Sequence, residues 1–190
     1  IKRIYVAMLS GGGLAVSWIL WALVFKDYQK ERILTFLSPT RDPLGSGYNI
    51  IQSKIAVGSG GWFGKGLGYG SQSQLKFLPA QQTDFIFAVL AEELGFLGAS
   101  LLLVLFCFLL LRMMKIVRGA RDAFGLMLGV GAIIIFLFQI IINVGMNMGI
   151  LPVTGIPLPL VSYGGSSLIS MLILVGVLQS VAIRSKKLKF

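Results

Sequence analysis

FIFAVLAEELGFLGASLLLVLFCFLLL, residues 85–111, decides the fold. The run exceeds the roughly 20 apolar residues that carry a helix across a bilayer. Only Glu92 and Glu93 interrupt it with charge. It is also far too long for a strand, since strands run about 4–8 residues. Working outward, three more runs reach spanning length: 4–25, 124–147 and 161–183. The expected fold is an all-α polytopic membrane protein with four long transmembrane helices, and 1–190 reads as one membrane domain.

Composition agrees. The chain is 56% hydrophobic and 13% charged, with a mean hydropathy of +0.86. A soluble domain is about 45–50% apolar and about 25% charged, and one core of this size could not hide the excess. The net charge of +10 would suggest nucleic acid in a soluble protein. Here the basic residues cluster beside apolar runs, which is the pattern of membrane orientation, so nucleic-acid binding is excluded. Cys107 is the single cysteine and can form no internal disulfide. The chain has no histidine, so any chemistry runs on carboxylates, amines or hydroxyls. The run 4–25 ends in Lys26 without a small-residue cleavage site, so it reads as a span of a longer protein rather than a signal peptide.

Lysine and arginine give an orientation. Arg112, Lys115, Arg118 and Arg121 lie two spans away from Arg184, Lys186, Lys187 and Lys189. Both clusters are expected to be cytoplasmic. That makes 112–121 a cytoplasmic loop, puts the C-terminus in the cytoplasm, and puts Asp84 and the segment 148–162 outside. The latter is uncharged, apolar and proline-rich, and is expected to dip back as a re-entrant loop. Lys26, Lys30, Arg32 and Arg41 also look cytoplasmic, so 26–47 is expected to be a cytoplasmic loop. The chain must then cross once more before an extracytoplasmic loop 65–84. The only candidate is 48–64, which is short and carries Gln52 and Lys54. A polar segment at membrane depth survives only inside a bundle or along a wet cavity. The expectation is one short or broken span, with a re-entrant loop as the alternative.

Four features carry candidate chemistry. Asp84, at the mouth of the 85–111 run, is either a catalytic carboxylate or a helix N-cap, and Thr83 could cap equally well. Spacing alone favours the cap. Glu92 and Glu93 lie about 12–14 Å along the helix, where acids are costly unless paired. They form either a structural pairing or a polar site. Gln139, Asn143 and Asn147 recur at i, i+4, i+8, as interhelical hydrogen bonding or as the wall of that site. The amides around Gly164, Gly165, Ser166 and Ser167 could open a helix and receive an anion. A second glycine-rich region, with Lys54, Lys65 and Lys76 nearby, suits a pyrophosphate.

Taken in order, these segments resemble the RodA/FtsW/SpoVE family of bacterial cell-wall synthases. The motifs are YQKERI (28–33), DPLGSGYNIIQSKIA (42–56), GGWFGKG (60–66), FLP (77–79), TDFIF (83–87), AEELG (91–95) and PLPLVSYGGS (157–166). QSK (52–54) and SQSQ (71–74) look more like the elongation branch than the division branch. The resemblance implies a ten-span fold in the bacterial cytoplasmic membrane, of which this chain holds roughly the last five spans. It implies polymerisation of lipid II into glycan strands on the outer face, from an undecaprenyl-pyrophosphate-linked donor, during elongation and cell-shape maintenance. It makes Asp84 catalytic, and it implies a class B penicillin-binding protein, a transpeptidase, as partner. Lys54, Lys65, Glu92, Glu93, Asn143, Ser162, Gly164, Gly165 and Ser166 are the expected substrate-binding residues. No protein metal ligand is expected, although a divalent cation, Mg or Mn, is an alternative to the lysines at the pyrophosphate. Without the first five spans the chain is expected to be inactive. Two rival functions remain at this stage, a lipid II flippase and a non-catalytic scaffold for the transpeptidase.

Overall fold

A computed structural model describes residues 25–39, 45–75 and 77–185. The expected span 4–25 lies outside the described residues apart from Phe25. Six helices follow: α1 (Asp27–Leu37), α2 (Ser46–Ser59), α3 (Ser71–Gln74), α4 (Ile86–Arg118), α5 (Ala123–Asn147) and α6 (Gly165–Ser185). The last three are long and apolar enough to cross a membrane. They pack through two clusters. One joins Phe87, Ala91, Phe106, Ile140 and Leu158. The other joins Met113, Val117, Phe136, Met171 and Leu178. Much of the remaining surface is exposed and apolar, as at Leu101, Leu105, Phe108 and Ile134.

The span boundaries mostly follow the sequence. α5 starts one residue before the expected run, because the Asp122 carboxylate accepts the Gly125 N–H at 3.2 Å and caps it. α4 runs through to Arg118, so the expected loop 112–121 is largely helix. Lys115 and Arg118 fall in its last turn, where the helix dipole favours cations. α6 starts at Gly165 rather than at residue 161, since the Ser162 hydroxyl holds the preceding turn by accepting the Leu158 N–H at 2.7 Å.

α4 is not continuous. Gly95 sits at φ 68° and ψ −165°, a conformation open essentially to glycine. In an unbroken helix the N–H groups of Phe96 and Leu97 would donate to the carbonyls of Glu92 and Glu93. Instead they donate to the carbonyls of Gly61 and Trp62 at 2.8 and 3.2 Å, while the Glu92 and Glu93 carbonyls accept Lys65 N–H and Gly66 N–H, each at 3.0 Å. The 61–66 loop is inserted into the break, and it supplies partners for these four groups. The fit demands small residues. A Cβ at Gly60 would overlap the Ala91 carbonyl, one at Gly64 the Glu93 carbonyl, and one at Gly95 the Gly64 nitrogen.

This insertion corrects the topology expected for 48–64. α2 has 14 residues, about 21 Å, too short for a core of about 30 Å. Its middle lies beside the end of α5, where the Ser53 hydroxyl donates to the Asn147 carbonyl at 2.7 Å. It runs down to the Gly95 break, and the chain then returns to the mouth of α4, with Ala56, Leu78, Phe85 and Ala88 packed together. The segment enters and leaves on one side, as a re-entrant hairpin and not a span. The expected loop 26–47 moves with it. Arg32 Nη1 donates to the Thr154 carbonyl at 3.0 Å, so α1 lies on the same side as 148–162 and cannot be across the membrane from it. Arg32 misled the charge count because it serves a contact within the protein. With α1 and α2 both entering from that side, no extra crossing is needed.

The tight glycine and an open one should separate in stability. Gly60→Ala in the full-length protein should lower the thermal midpoint in detergent by several degrees, since overpacking typically costs about 1–3 kcal/mol. Gly131→Ala, where a Cβ meets nothing within 4 Å, should leave it unchanged or raise it. Equal midpoints for the two variants would contradict the inserted loop.

Candidate functional site

The mouth of α4 is held by its carbonyls. Three in succession are taken by other elements. The Gln82 carbonyl accepts Tyr163 N–H at 2.8 Å, and the Thr83 carbonyl accepts the Ser162 hydroxyl at 2.6 Å. The Asp84 carbonyl accepts the side-chain amides of both Asn143 and Asn147 at 3.0 Å. Asn143 also donates to the Ile156 carbonyl at 2.8 Å, and Asn147 accepts Ala88 N–H at 3.1 Å. Both asparagines are fully buried, where an unmet polar group costs about 1–3 kcal/mol. Two members of the amide stripe therefore do structural bonding. The third, Gln139, has its buried Oε1 without a partner among the described residues.

This clamping leaves the Asp84 side chain free. Among the described residues its carboxylate makes no hydrogen bond or ion pair, and Oδ2 faces Gly155, where an added Cβ would stand 3.3 Å away. The capping alternative fails. α4 starts at Ile86 with no side-chain cap, and the Thr83 hydroxyl donates back to the Ala80 carbonyl at 3.2 Å.

Glu92 and Glu93 have separate surroundings. Glu92 is fully buried. Its carboxylate accepts Lys65 Nζ at 2.9 Å, Gln72 N–H at 3.0 Å, Ser73 N–H at 3.1 Å and the Ser71 hydroxyl at 3.3 Å. A buried carboxylate is tolerable only with such a partner set, and this one staples the returning strand of the hairpin to α4. The Lys65 ammonium is occupied by that pairing. Glu93 is half-buried, and its side chain takes one bond, from the Ser73 hydroxyl at 3.4 Å. It opens onto a groove of about 570 Å³ between the 73–83 segment, the first turns of α4 and Tyr163. Asp84 does not line that groove.

The remaining expected residues are dispersed. Lys54 is exposed, and its stem lies over Gly149 at the end of α5. Gly164 accepts Leu168 N–H at 2.9 Å as α6 begins, while Gly165 and Ser166 are exposed. No hydrogen bond joins these three to Lys54 or Lys65 among the described residues. Nor is there, among the described residues, a group of three or more Asp, Glu, Cys or His placed to hold a metal ion. Sequence reasoning missed Ser53, Gly95 and Gly155. For the two glycines the signal available was glycine itself, at positions where neighbouring backbone or the Asp84 carboxylate comes close, and Ser53 offered none.

A profile of the FtsW/RodA/SpoVE family, described as cell cycle protein, matches residues 1–187. Peptidoglycan glycosyltransferase MrdB of Escherichia coli (strain K12) is 51% identical over 170 residues, covering 90% of this chain and 46% of that protein. Stage V sporulation protein E of Bacillus subtilis (strain 168) is 50% identical over 171 residues, with 90% and 46% covered. A chain in a solved structure of a peptidoglycan synthase complex, described as coordinating polymerization and crosslinking, superposes with a TM-score of 0.71 at 35% identity, covering 98% of this chain and 50% of that one. The chain thus spans about half the length of the curated relatives it matches.

The Glu92–Lys65 staple has a simple double-mutant test in the full-length protein. Lys65→Met strands a buried carboxylate and should lower the thermal midpoint. Adding Glu92→Gln should recover part of the loss. A double variant no more stable than Lys65→Met would contradict the pairing.

Proposed function

The chain belongs to the FtsW/RodA/SpoVE family, and from that premise we propose that the whole protein is a peptidoglycan glycosyltransferase that polymerises lipid II, with Asp84 as its general base. The observation that carries this is the state of Asp84: its backbone is fixed from α5, and its carboxylate is left unengaged. A carboxylate used only for structure would be expected to have found a partner, as Glu92 has.

The acceptor sugar hydroxyl of lipid II attacks the anomeric carbon of the growing strand. Its proton passes to the Asp84 carboxylate. The new glycosidic bond forms as the bond to undecaprenyl pyrophosphate breaks, with inversion at that carbon. Lys54, exposed and without an ion-pair partner among the described residues, is the better placed of the two lysines to meet the departing pyrophosphate, since Lys65 is held by Glu92. The open amides where α6 begins, at Gly165 and Ser166, suit the same anion. No step is routed through a divalent cation.

The same reading places the protein in the bacterial cytoplasmic membrane with Asp84 on the outer face and the C-terminus in the cytoplasm. It gives the protein a class B penicillin-binding protein as its transpeptidase partner. Identities of 51% and 48% to MrdB and RodA proteins and 50% to stage V sporulation protein E, against 42–45% to FtsW proteins, favour a branch other than FtsW, and the QSK (52–54) and SQSQ (71–74) stretches support the elongation role within it.

Full-length protein with its transpeptidase partner, supplied with lipid II in detergent, should produce glycan polymer. Asp84→Ala should lower the rate by about 10²–10⁴-fold, the usual worth of a positioned base, while retaining its fold. Equal polymer from both would remove Asp84 from the chemistry, and no polymer from the wild type with partner bound would favour a flippase or a scaffold. Gly155→Ala should also slow polymerisation, though less than Asp84→Ala. Gly155 sits at φ +76°, and the added Cβ would press on Oδ2.

A further inference from the structure

Glu93 is the membrane-helix acid that the fold does not consume. It lies about 10 Å below the start of α4, on the face it shares with Ile86 and Val89 at i, i+3, i+7, and all three line the groove. The volume of about 570 Å³ falls in the ligand-pocket range of about 300–1,000 Å³. Gln74, Gln82 and Tyr163 also line the groove. The Tyr163 backbone N–H is fixed to the Gln82 carbonyl at 2.8 Å, yet the residue is 76% exposed, so its ring stands anchored and uncovered.

We propose that this groove is a subsite for an uncharged N-acetylated sugar of the glycan, with Glu93 accepting a hydroxyl or acetamido N–H and the Tyr163 ring lying against the pyranose face. The proposal rests on the glycan-polymerising reading and adds a site that the Asp84 chemistry does not require. The chemistry of the lining selects the ligand class. Glutamine amides both donate and accept, which matches hydroxyl and acetamido groups together. An aromatic face gains dispersion contact with the C–H face of a sugar. A carboxylate is an acceptor only, which suits a ligand group that donates, such as a hydroxyl or an amide N–H, better than an anion. The apolar strip of Ile86 and Val89 shares the lining with these polar groups, as suits the sugar end of an amphiphile.

The test uses the full-length protein with its partner in detergent and a β-1,4-linked N-acetylglucosamine tetramer, free of lipid and phosphate, with binding followed by saturation-transfer NMR and calorimetry. The wild type should bind the tetramer. Tyr163→Ala and the near-isosteric Glu93→Gln should each weaken binding about tenfold or more, a change of about 1.4 kcal/mol. Tyr69→Ala, an exposed aromatic outside the groove, should not, and inorganic pyrophosphate should not displace the tetramer. Unchanged binding in both groove variants, no binding to the wild type, or displacement by pyrophosphate would each overturn the subsite. Polymer made by the wild type alongside unchanged binding in the variants would sink the subsite alone. Loss of binding in the variants without polymer from the wild type would uphold the subsite and sink the catalytic reading.

Discussion

The structure depends on one exchange of backbone hydrogen bonds. Within a bilayer no water is available to satisfy a broken helix, so each freed N–H or C=O must find a protein partner. At the Gly95 break two N–H and two C=O groups exchange their helical partners for the 61–66 loop. Neither feature is stable without the other. The break leaves unmet groups unless the loop is present, and the loop has no reason to lie at that depth unless the break receives it. The glycines at 60, 64 and 95 follow from this, because the two backbones approach more closely than any Cβ allows.

The rest of the candidate site hangs from that joint. Once the hairpin is seated, Glu92 faces its returning strand and takes Lys65 and the amides of Gln72 and Ser73. The strand then leads back to the mouth of α4, where α5 and the segment before α6 grip the carbonyls of residues 82–84. Clamping through the backbone rather than the side chain has a chemical consequence. Asp84 is positioned without its carboxylate being spent, whereas Glu92 is buried and fully engaged. Three acids within one short stretch are thereby sorted by surroundings, two of them open and one structural.

Three of the four expected long spans were legible because lipid imposes length and continuous apolarity, and α5 matched its run to within a residue. The break in α4 was not legible. Glycine is common in membrane helices, and nothing local to Gly95 distinguishes a break from a packing contact; the deciding residues lie some thirty positions earlier in the chain. The side of 26–47 was misread for a related reason. The positive-inside rule counts lysine and arginine as orientation signals, but Arg32 is used to hold the Thr154 carbonyl. Asp84 lies just before α4 with its carboxylate beside Gly155, and its freedom from capping could come only from three dimensions. The asparagine stripe was visible by spacing, but its target, the Asp84 carbonyl, was not.

The central claim is that α1, both ends of the hairpin and the 148–164 segment meet on one face of the membrane and build the site there. Single cysteines at Glu31, Gln82 and Ile150, with Arg121 as the far-side control, would test it in the full-length protein with Cys107 replaced by alanine, using a membrane-impermeant maleimide on sealed vesicles of one orientation. The account predicts that positions 31, 82 and 150 label together and that position 121 labels only from the opposite side. Labelling of position 31 together with position 121 would contradict it.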